Sequence, residues 1–300
     1  MKLKKNYINI NGESIFYLCG GEKTDEKILF VHGNMSSSSC FINLIESLDG
    51  FEVYALDMRG FGESSYNNKV QSIYDLVSDL KKFILDLDLN NFTLVSWSFG
   101  SGIALEISRD DLIKKRIKNE IFLAPVGYSP FNTNGADILT NNFQEYLSDF
   151  DFLNPEKNLE ILNNFMHFNL SLIEEGFKSM GINNKKSTID IIKILFETFI
   201  YNVNLPDKKE FDRNVLAASK QKNLEDIASI LRNYEYFGNN LKINSIVLHG
   251  YDDKVISYMD GKFLAQKIGA SFKKLDDCGH SVMTDKFDEV LETIKKFAEE

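Results

Sequence analysis

The sequence predicts an α/β protein: a mostly parallel central sheet with helices on both faces, carrying one all-helical insertion. Three observations predict it. Continuous apolar runs such as Lys27-Ile28-Leu29-Phe30-Val31 read as strands covered on both faces. Segments of 3.6-residue periodicity separate these runs, and strands alternating with helices imply parallel pairing through crossovers. The alternation halts after Pro125 and resumes at Ser245, with only helical periodicity between.

Taken in order, 7–10 and 14–18 alternate apolar and polar residues around Asn11-Gly12, the signature of a hairpin with a tight turn. A strand over 27–33 leads through the serine run 36–39 into a helix with Phe41, Leu44, Ile45 and Leu48 on one side. The next strand, 51–57, ends in the loop Met58-Arg59-Gly60-Phe61-Gly62-Glu63-Ser64. Ile73, Leu76, Val77, Leu80, Phe83, Ile84 and Leu87 form the apolar stripe of an amphipathic helix. Phe92-Thr93-Leu94-Val95 is a buried-type strand, and a helical pattern opens at Gly102. A further strand covers 120–125. Helical periodicity then recurs over 138–150, 159–177 and 189–199, and 233–241 is a connector rich in Tyr, Phe and Gly. The sheet resumes over 245–250, followed by a helix (258–268), a strand (271–275) and a closing helix (286–298). The expected organisation is therefore a core of 1–125 and 241–300, with 126–240 as a helical cap and its connector.

Composition narrows the function. A chain of 300 residues with 43% apolar and 26% charged residues has ample material for one large core. The formal charge of -10 argues against nucleic acid and anionic membrane surfaces, which demand concentrated Lys and Arg. Cys19, Cys40 and Cys278 are few, odd in number and widely spaced, which fits neither a disulfide framework nor zinc ligation. No stretch approaches the roughly 18 uninterrupted apolar residues of a membrane span. A cytoplasmic protein acting on a small molecule is the expectation. The glycines of Gly60-Phe61-Gly62 lack the strand–helix context of a dinucleotide loop, and no metal or cofactor site is legible.

The chemistry gathers at strand ends. Ser98 lies at the centre of Ser96-Trp97-Ser98-Phe99-Gly100, between a strand and a helix, as in the nucleophile elbow G-x-S-x-G with its first glycine replaced. A serine hydroxyl needs a histidine to take its proton, and that histidine needs a carboxylate to fix its tautomer. His280, in Asp276-Asp277-Cys278-Gly279-His280-Ser281, follows the last strand and precedes the last helix. Two aspartates, Asp252 and Asp253, follow the strand that ends at His249-Gly250.

The order Ser98, Asp, His280 resembles that of the α/β-hydrolase family. So do His32-Gly33-Asn34-Met35, Asp57-Met58-Arg59-Gly60-Phe61-Gly62-Glu63-Ser64 (family form D-x-R-G-x-G-x-S), the elbow, the acid loop and Gly279-His280. The resemblance covers nearly the whole chain and implies the α/β-hydrolase fold with a helical cap. It implies a catalytic triad of Ser98, Asp253 and His280. The family's acid stands three residues after the loop glycine, which favours Asp253, with Asp252 the alternative. The family also implies an oxyanion hole made by the backbone N–H of Phe99 and of Asn34, or else of Met35. His32 is expected to brace its loop, and the 57–64 stretch to be structural. Serine at 98 excludes the dehalogenase and epoxide-hydrolase branches, which use aspartate there. The H-G-G-P-G loop of proline iminopeptidases is also missing.

The resulting expectation is a serine esterase, acting on a carboxylic ester or thioester of a small to medium, largely apolar substrate through an acyl-enzyme. A C–C hydrolase of diketones and a non-catalytic ligand-binding member of the fold are the alternatives. Phe143, Phe150, Phe152, Phe165, Phe168, Phe177, Phe196 and Phe199 are expected to build the cap's own core and, in part, to line an apolar pocket. His167 is expected to pack or line there too.

Overall fold

A computed structural model describes residues 1–129 and 188–300. Eight strands form one sheet: β1 (Lys4–Ile10), β2 (Glu13–Gly20), β3 (Lys27–Val31), β4 (Glu52–Leu56), β5 (Phe92–Trp97), β6 (Ile117–Leu123), β7 (Asn244–Gly250) and β8 (Ser271–Leu275). Their spatial order is β1-β2-β4-β3-β5-β6-β7-β8. The pairs β1–β2 and β2–β4 are antiparallel; every other pair is parallel. Asn11 and Gly12 both take positive φ, 50° and 82°, the turn geometry that a tight hairpin with right-handed strand twist demands. From β3 the chain steps to β4 on one side and to β5 on the other. The ends of β3 and β5 therefore flank a switch point, where open parallel sheets leave a crevice.

Strand periodicity divides the core into two layers. Ile28, Phe30, Val95, Trp97, Ile121, Leu123 and Leu248 face one side, packing with α1 (Ile42–Glu46) and the closing helix. Leu29, Val31, Phe92, Leu94, Phe122 and Val247 face the other, against α2 (Ile73–Asp86) and α3 (Phe99–Ile107). In α2 the stripe of Ile73, Leu76, Leu80, Phe83 and Ile84 is buried, each fully covered large side chain contributing about 1.5–3 kcal/mol. Ser72 and Asp75 close a capping box at its start, satisfying two N–H groups that the helix leaves open.

Several boundaries differ from expectation: β1 and β6 begin three residues before the expected strands, at Lys4 and Ile117. The helix after β5 begins at Phe99, not at Gly102, because Ser98 turns the chain in a single residue. A short α4 (Asp111–Lys114) precedes β6. Residues 126–129 and 188–240 contain no strand. They hold α5 (Thr188–Leu195), a π-helical turn (Phe196–Ile200), α6 (Lys208–Ser219) and α7 (Leu224–Asn233). Phe196 and Phe199 are buried in the layer with α1, whereas Ile227, Leu231, Tyr234 and Tyr236 join the layer with α3. The expected helices over 138–150 and 159–177, His167 and the other six phenylalanines lie outside the described residues. The chain closes with α8 (Tyr258–Ile268), α9 (Val282–Asp285) and α10 (Phe287–Glu299). No helix among the described residues is long and apolar enough to cross a membrane.

Candidate active site

Ser98 occupies the turn between β5 and α3 with φ 53° and ψ -121°, a conformation that side-chain-bearing residues rarely adopt and that costs on the order of 1–3 kcal/mol. Its neighbours over-determine it. Its N–H donates to Leu123 O (2.9 Å), and its carbonyl accepts from Ser101 N (2.9 Å) and Val126 N (3.4 Å). Gly100 lets α3 start against β3: a Cβ there would stand 2.4 Å from Val31 O and 2.6 Å from His32 O. Ser98 itself is 8% exposed, at the C-terminal end of the sheet. Ser98 Oγ makes no hydrogen bond among the described residues. The bond from nucleophile to base is commonly long in unliganded hydrolases and tightens with substrate.

His280 and Asp253 do meet. His280 Nδ1 donates to Asp253 Oδ2 at 2.8 Å, which leaves Nε2 as the basic nitrogen. Trp97, next to Ser98 in the chain, donates Nε1–H to His280 O (3.1 Å), and the two rings lie 5.4 Å apart. Ser281 N reaches Ile200 O (3.2 Å) and Gly279 N reaches Asp285 Oδ2 (2.7 Å), so the histidine loop is tied on both sides. The Asp253 carboxylate is fully buried, and its Oδ1 accepts from Val255 N (2.7 Å) and Ile256 N (2.9 Å). Burial would raise its pKa; the facing His280 and His249 outweigh burial and hold it below the usual carboxylate range. Asp252, by contrast, is exposed, and its contacts to Cys278 O and Asn202 run through its backbone.

His249 is a site residue that sequence reasoning missed. Its Nε2 lies 3.1 Å from Asp253 Oδ2 and 3.0 Å from Ile256 O. Both are acceptors, so Nε2 carries a proton shared between them. Its Nδ1 is buried without a partner among the described residues and packs on α8 at Gly261, where a Cβ would stand 2.1 Å away. Its position at the end of β7, four residues before Asp253, was the available signal.

The loop after β3 supplies the remaining pieces. His32 Nδ1 bonds Gly33 O (2.8 Å) and Nε2 accepts from Met58 N (3.1 Å), which fixes a neutral ring. Burial lowers its pKa against the opposing pull of Asp57. Both ring nitrogens are thus spent on bracing. Asp57 accepts from Ser38 N (2.7 Å) and Glu63 N (2.9 Å), and Arg59 pairs with Asp79 at 2.6 Å, so the 57–64 stretch is a knot of buried bonds. Met35 N donates to Gln221 Oε1 (2.9 Å), while the N–H of Asn34 has no acceptor among the described residues. Phe99 opens α3, so its N–H has no intrahelical partner. Among the described residues no group of three or more His, Cys, Asp or Glu is arranged to hold a metal ion.

Residues 27–287 match the model of the alpha/beta hydrolase fold family. A Mycoplasma genitalium protein, provisionally named esterase/lipase 3, is 24% identical over 165 residues, covering 52% of this chain and 60% of that one. Among solved structures, a Rhodococcus esterase superposes with a TM-score of 0.70 at 15% identity, covering 100% of this chain and 99% of its own. A Bacillus megaterium epoxide hydrolase gives 0.69 at 18%, covering 98% and 100%. These structural likenesses speak for the fold alone, and the chain spans about half the length of the curated relatives it matches. With the sheet order, the elbow and a family match over most of its length, the chain belongs to the alpha/beta hydrolase fold family.

Proposed function

We propose that this protein is a serine hydrolase that cleaves a carboxylic ester or thioester of a small to medium, largely apolar substrate. One observation carries the reading: a buried, doubly anchored Asp253 holds His280 through Nδ1, and His280 is bonded in turn to Trp97, the residue preceding a serine at a strained strand–helix turn. Ser98 Oγ attacks the carbonyl carbon while His280 Nε2 takes its proton. Asp253 stabilises the resulting imidazolium and keeps the ring in the productive tautomer. The tetrahedral oxyanion accepts from Phe99 N–H and Asn34 N–H; Asn34 is favoured over Met35 because the Met35 N–H already serves Gln221. The imidazolium returns its proton to the departing alcohol or thiol, leaving an acyl-serine. A water activated by the same nitrogen then hydrolyses it.

The segment 126–240 acts as a cap over this site, in line with its strand-free character where it is described. The chain's three cysteines are unpaired, in keeping with a cytoplasmic setting. A fluorophosphonate probe tests the reading: wild type is labelled and Ser98→Ala is not. Folded wild type that resists the probe and leaves nitrophenyl acetate intact would end the proposal.

A further inference from the structure

Gln221 lies in the turn between α6 and α7, far along the chain from the β3 loop it touches. All three of its polar positions are engaged. Oε1 accepts from Met35 N (2.9 Å), and Nε2 donates to Asn34 Oδ1 (2.8 Å) and to Asn223 Oδ1 (3.0 Å). Its neighbours fasten the same turn to the loop after β4. Lys222 N donates to Gly60 O (2.7 Å), Lys222 Nζ to Ser64 O (3.1 Å) and Asn223 Nδ2 to Arg59 O (2.8 Å). Asn223 is fully buried at this junction. The turn is therefore a rigid platform, and Gln221 is the side chain it extends to the β3 loop.

Gln221 holds Asn34 from two directions. The Asn34 side chain is fixed through Oδ1, and the peptide after it is fixed through Met35 N. Met35 sits at φ 50°, in the left-handed region, where an unbranched side chain persists only if other contacts hold it. The peptide that carries the Asn34 N–H is held on its other side, where Gly33 O accepts from His32 Nδ1 (2.8 Å), so with Gln221 on the side chain and on the next peptide the direction of that N–H is set from both sides. Preorganised N–H groups stabilise an oxyanion only when they stay aimed at the position the charge will occupy.

We propose that Gln221 is a positioning residue of the oxyanion hole, through which the inserted segment itself, at the turn between α6 and α7, helps set the aim of the Asn34 N–H. This rests on the reading of Ser98 as the nucleophile and Asn34 as a donor. Gln221 acts through Asn34 and Met35, so its loss falls on transition-state stabilisation more than on substrate binding.

The test compares wild type, Gln221→Met and Gln221→Glu, each checked for folding by thermal melting, with nitrophenyl acetate as substrate and a phenylboronate as tetrahedral mimic. Gln221→Met keeps the length of the side chain and loses every bond. It is expected to lower kcat roughly 10- to 100-fold with KM within about twofold, and to weaken boronate by a similar factor. Gln221→Glu keeps an acceptor for Met35 N–H, and Asn34 can turn its amide to donate to the carboxylate; part of kcat should return. A folded Gln221→Met with unchanged kcat, or with KM raised alone, overturns the inference. If Gln221→Met does not fold, Gln221→Glu decides: kcat equal to wild type with boronate affinity unchanged and the Met35 amide free by hydrogen exchange overturns it. Wild type that the fluorophosphonate fails to label overturns the nucleophile reading itself, and this inference with it.

Discussion

Changing Asp253 to Asn replaces one oxygen with an NH2 group and reverses a hydrogen bond. Oδ1 faces two donors, Val255 N and Ile256 N, so the amide oxygen of the variant must take that side. The NH2 group then faces His280 Nδ1 and His249 Nε2, where Oδ2 now accepts at 2.8 and 3.1 Å. His280 Nδ1 has to become the acceptor, its proton moves to Nε2, and the nitrogen that should take the Ser98 proton is blocked. The imidazolium also loses the carboxylate it faces. A wrong-tautomer base of this kind costs about 10³- to 10⁴-fold in kcat, or about 4–5.5 kcal/mol of barrier. Asp252→Asn removes an exposed carboxylate whose contacts are made by its backbone and should leave kcat/KM within about twofold. The assay is nitrophenyl acetate turnover and the fluorophosphonate labelling rate, with melting curves as controls. A larger loss at 252, or less than a tenfold loss at 253, refutes the reasoning.

Three further outcomes follow from other parts of the fold. Gly100→Ala drives a methyl group into two backbone carbonyls that cannot swing aside, so thermal unfolding should show a loss of about 1–3 kcal/mol; a variant as stable as wild type contradicts the packing drawn for the elbow. Burial raises the Glu120 pKa to about 8, opposed by its bond to Ser108. The folded state therefore holds a proton that the unfolded chain releases near 4.5, and stability falls as pH rises from about 5 to 8, by up to about 1.4 kcal/mol per unit, then levels. Glu120→Gln should flatten that slope in denaturant titrations at several pH values, and an unaltered slope would assign it elsewhere. His249→Leu leaves Asp253 Oδ2 with one donor and Ile256 O with none, so kcat/KM should fall on the order of tenfold, and His249→Gln, whose amide can reach the place of Nε2, should recover part of it.

The sheet was legible because its signals are local. Alternation around Asn11-Gly12, continuous apolar runs for β3 to β6 and the stripe of α2 each report burial within a few residues. Ser98, His280 and Asp253 stood out in the sequence as candidates because each falls at a strand end beside small residues, where side-chain chemistry faces a crevice. The start of α3 was misjudged because Phe99-Gly100-Ser101 looks like turn sequence; only the close passage of Val31 and His32 explains why small residues open a helix there. His249 carried only a weak local signal, its place at the end of β7 four residues before Asp253, and Gln221 carried none. His249 reads as one more strand residue, and Gln221 acquires its meaning from partners 186 and 187 residues away. The choice between Asn34 and Met35 as the free N–H likewise depends on that distant amide.

The missing first glycine of the elbow shows what the motif requires. Ser96 alternates with Val95 and Trp97, which face the α1 layer, so its side chain points towards α3. There it meets Ser101 on the first turn of the helix, Oγ to Oγ at 3.2 Å, and both residues are fully buried. Two hydroxyls satisfy one another in the gap where strand and helix approach, so a Cβ at 96 is accommodated with its polar atom paired. The intolerance of side chains falls elsewhere. At Gly100 the obstacle is backbone on both sides; at Gly33 a Cβ would press the Ser98 Cβ itself at 3.0 Å; at Gly102 it would meet the buried ring of Tyr234 at 2.8 Å. The φ of 53° at Ser98 is thus enforced by Gly33 and Gly100 together with the Leu123 hydrogen bond, while position 96 needs only a small side chain. A pattern that insists on glycine at 96 mistakes a volume limit for a conformational one, and Ser98 keeps its strained strand–helix turn without it.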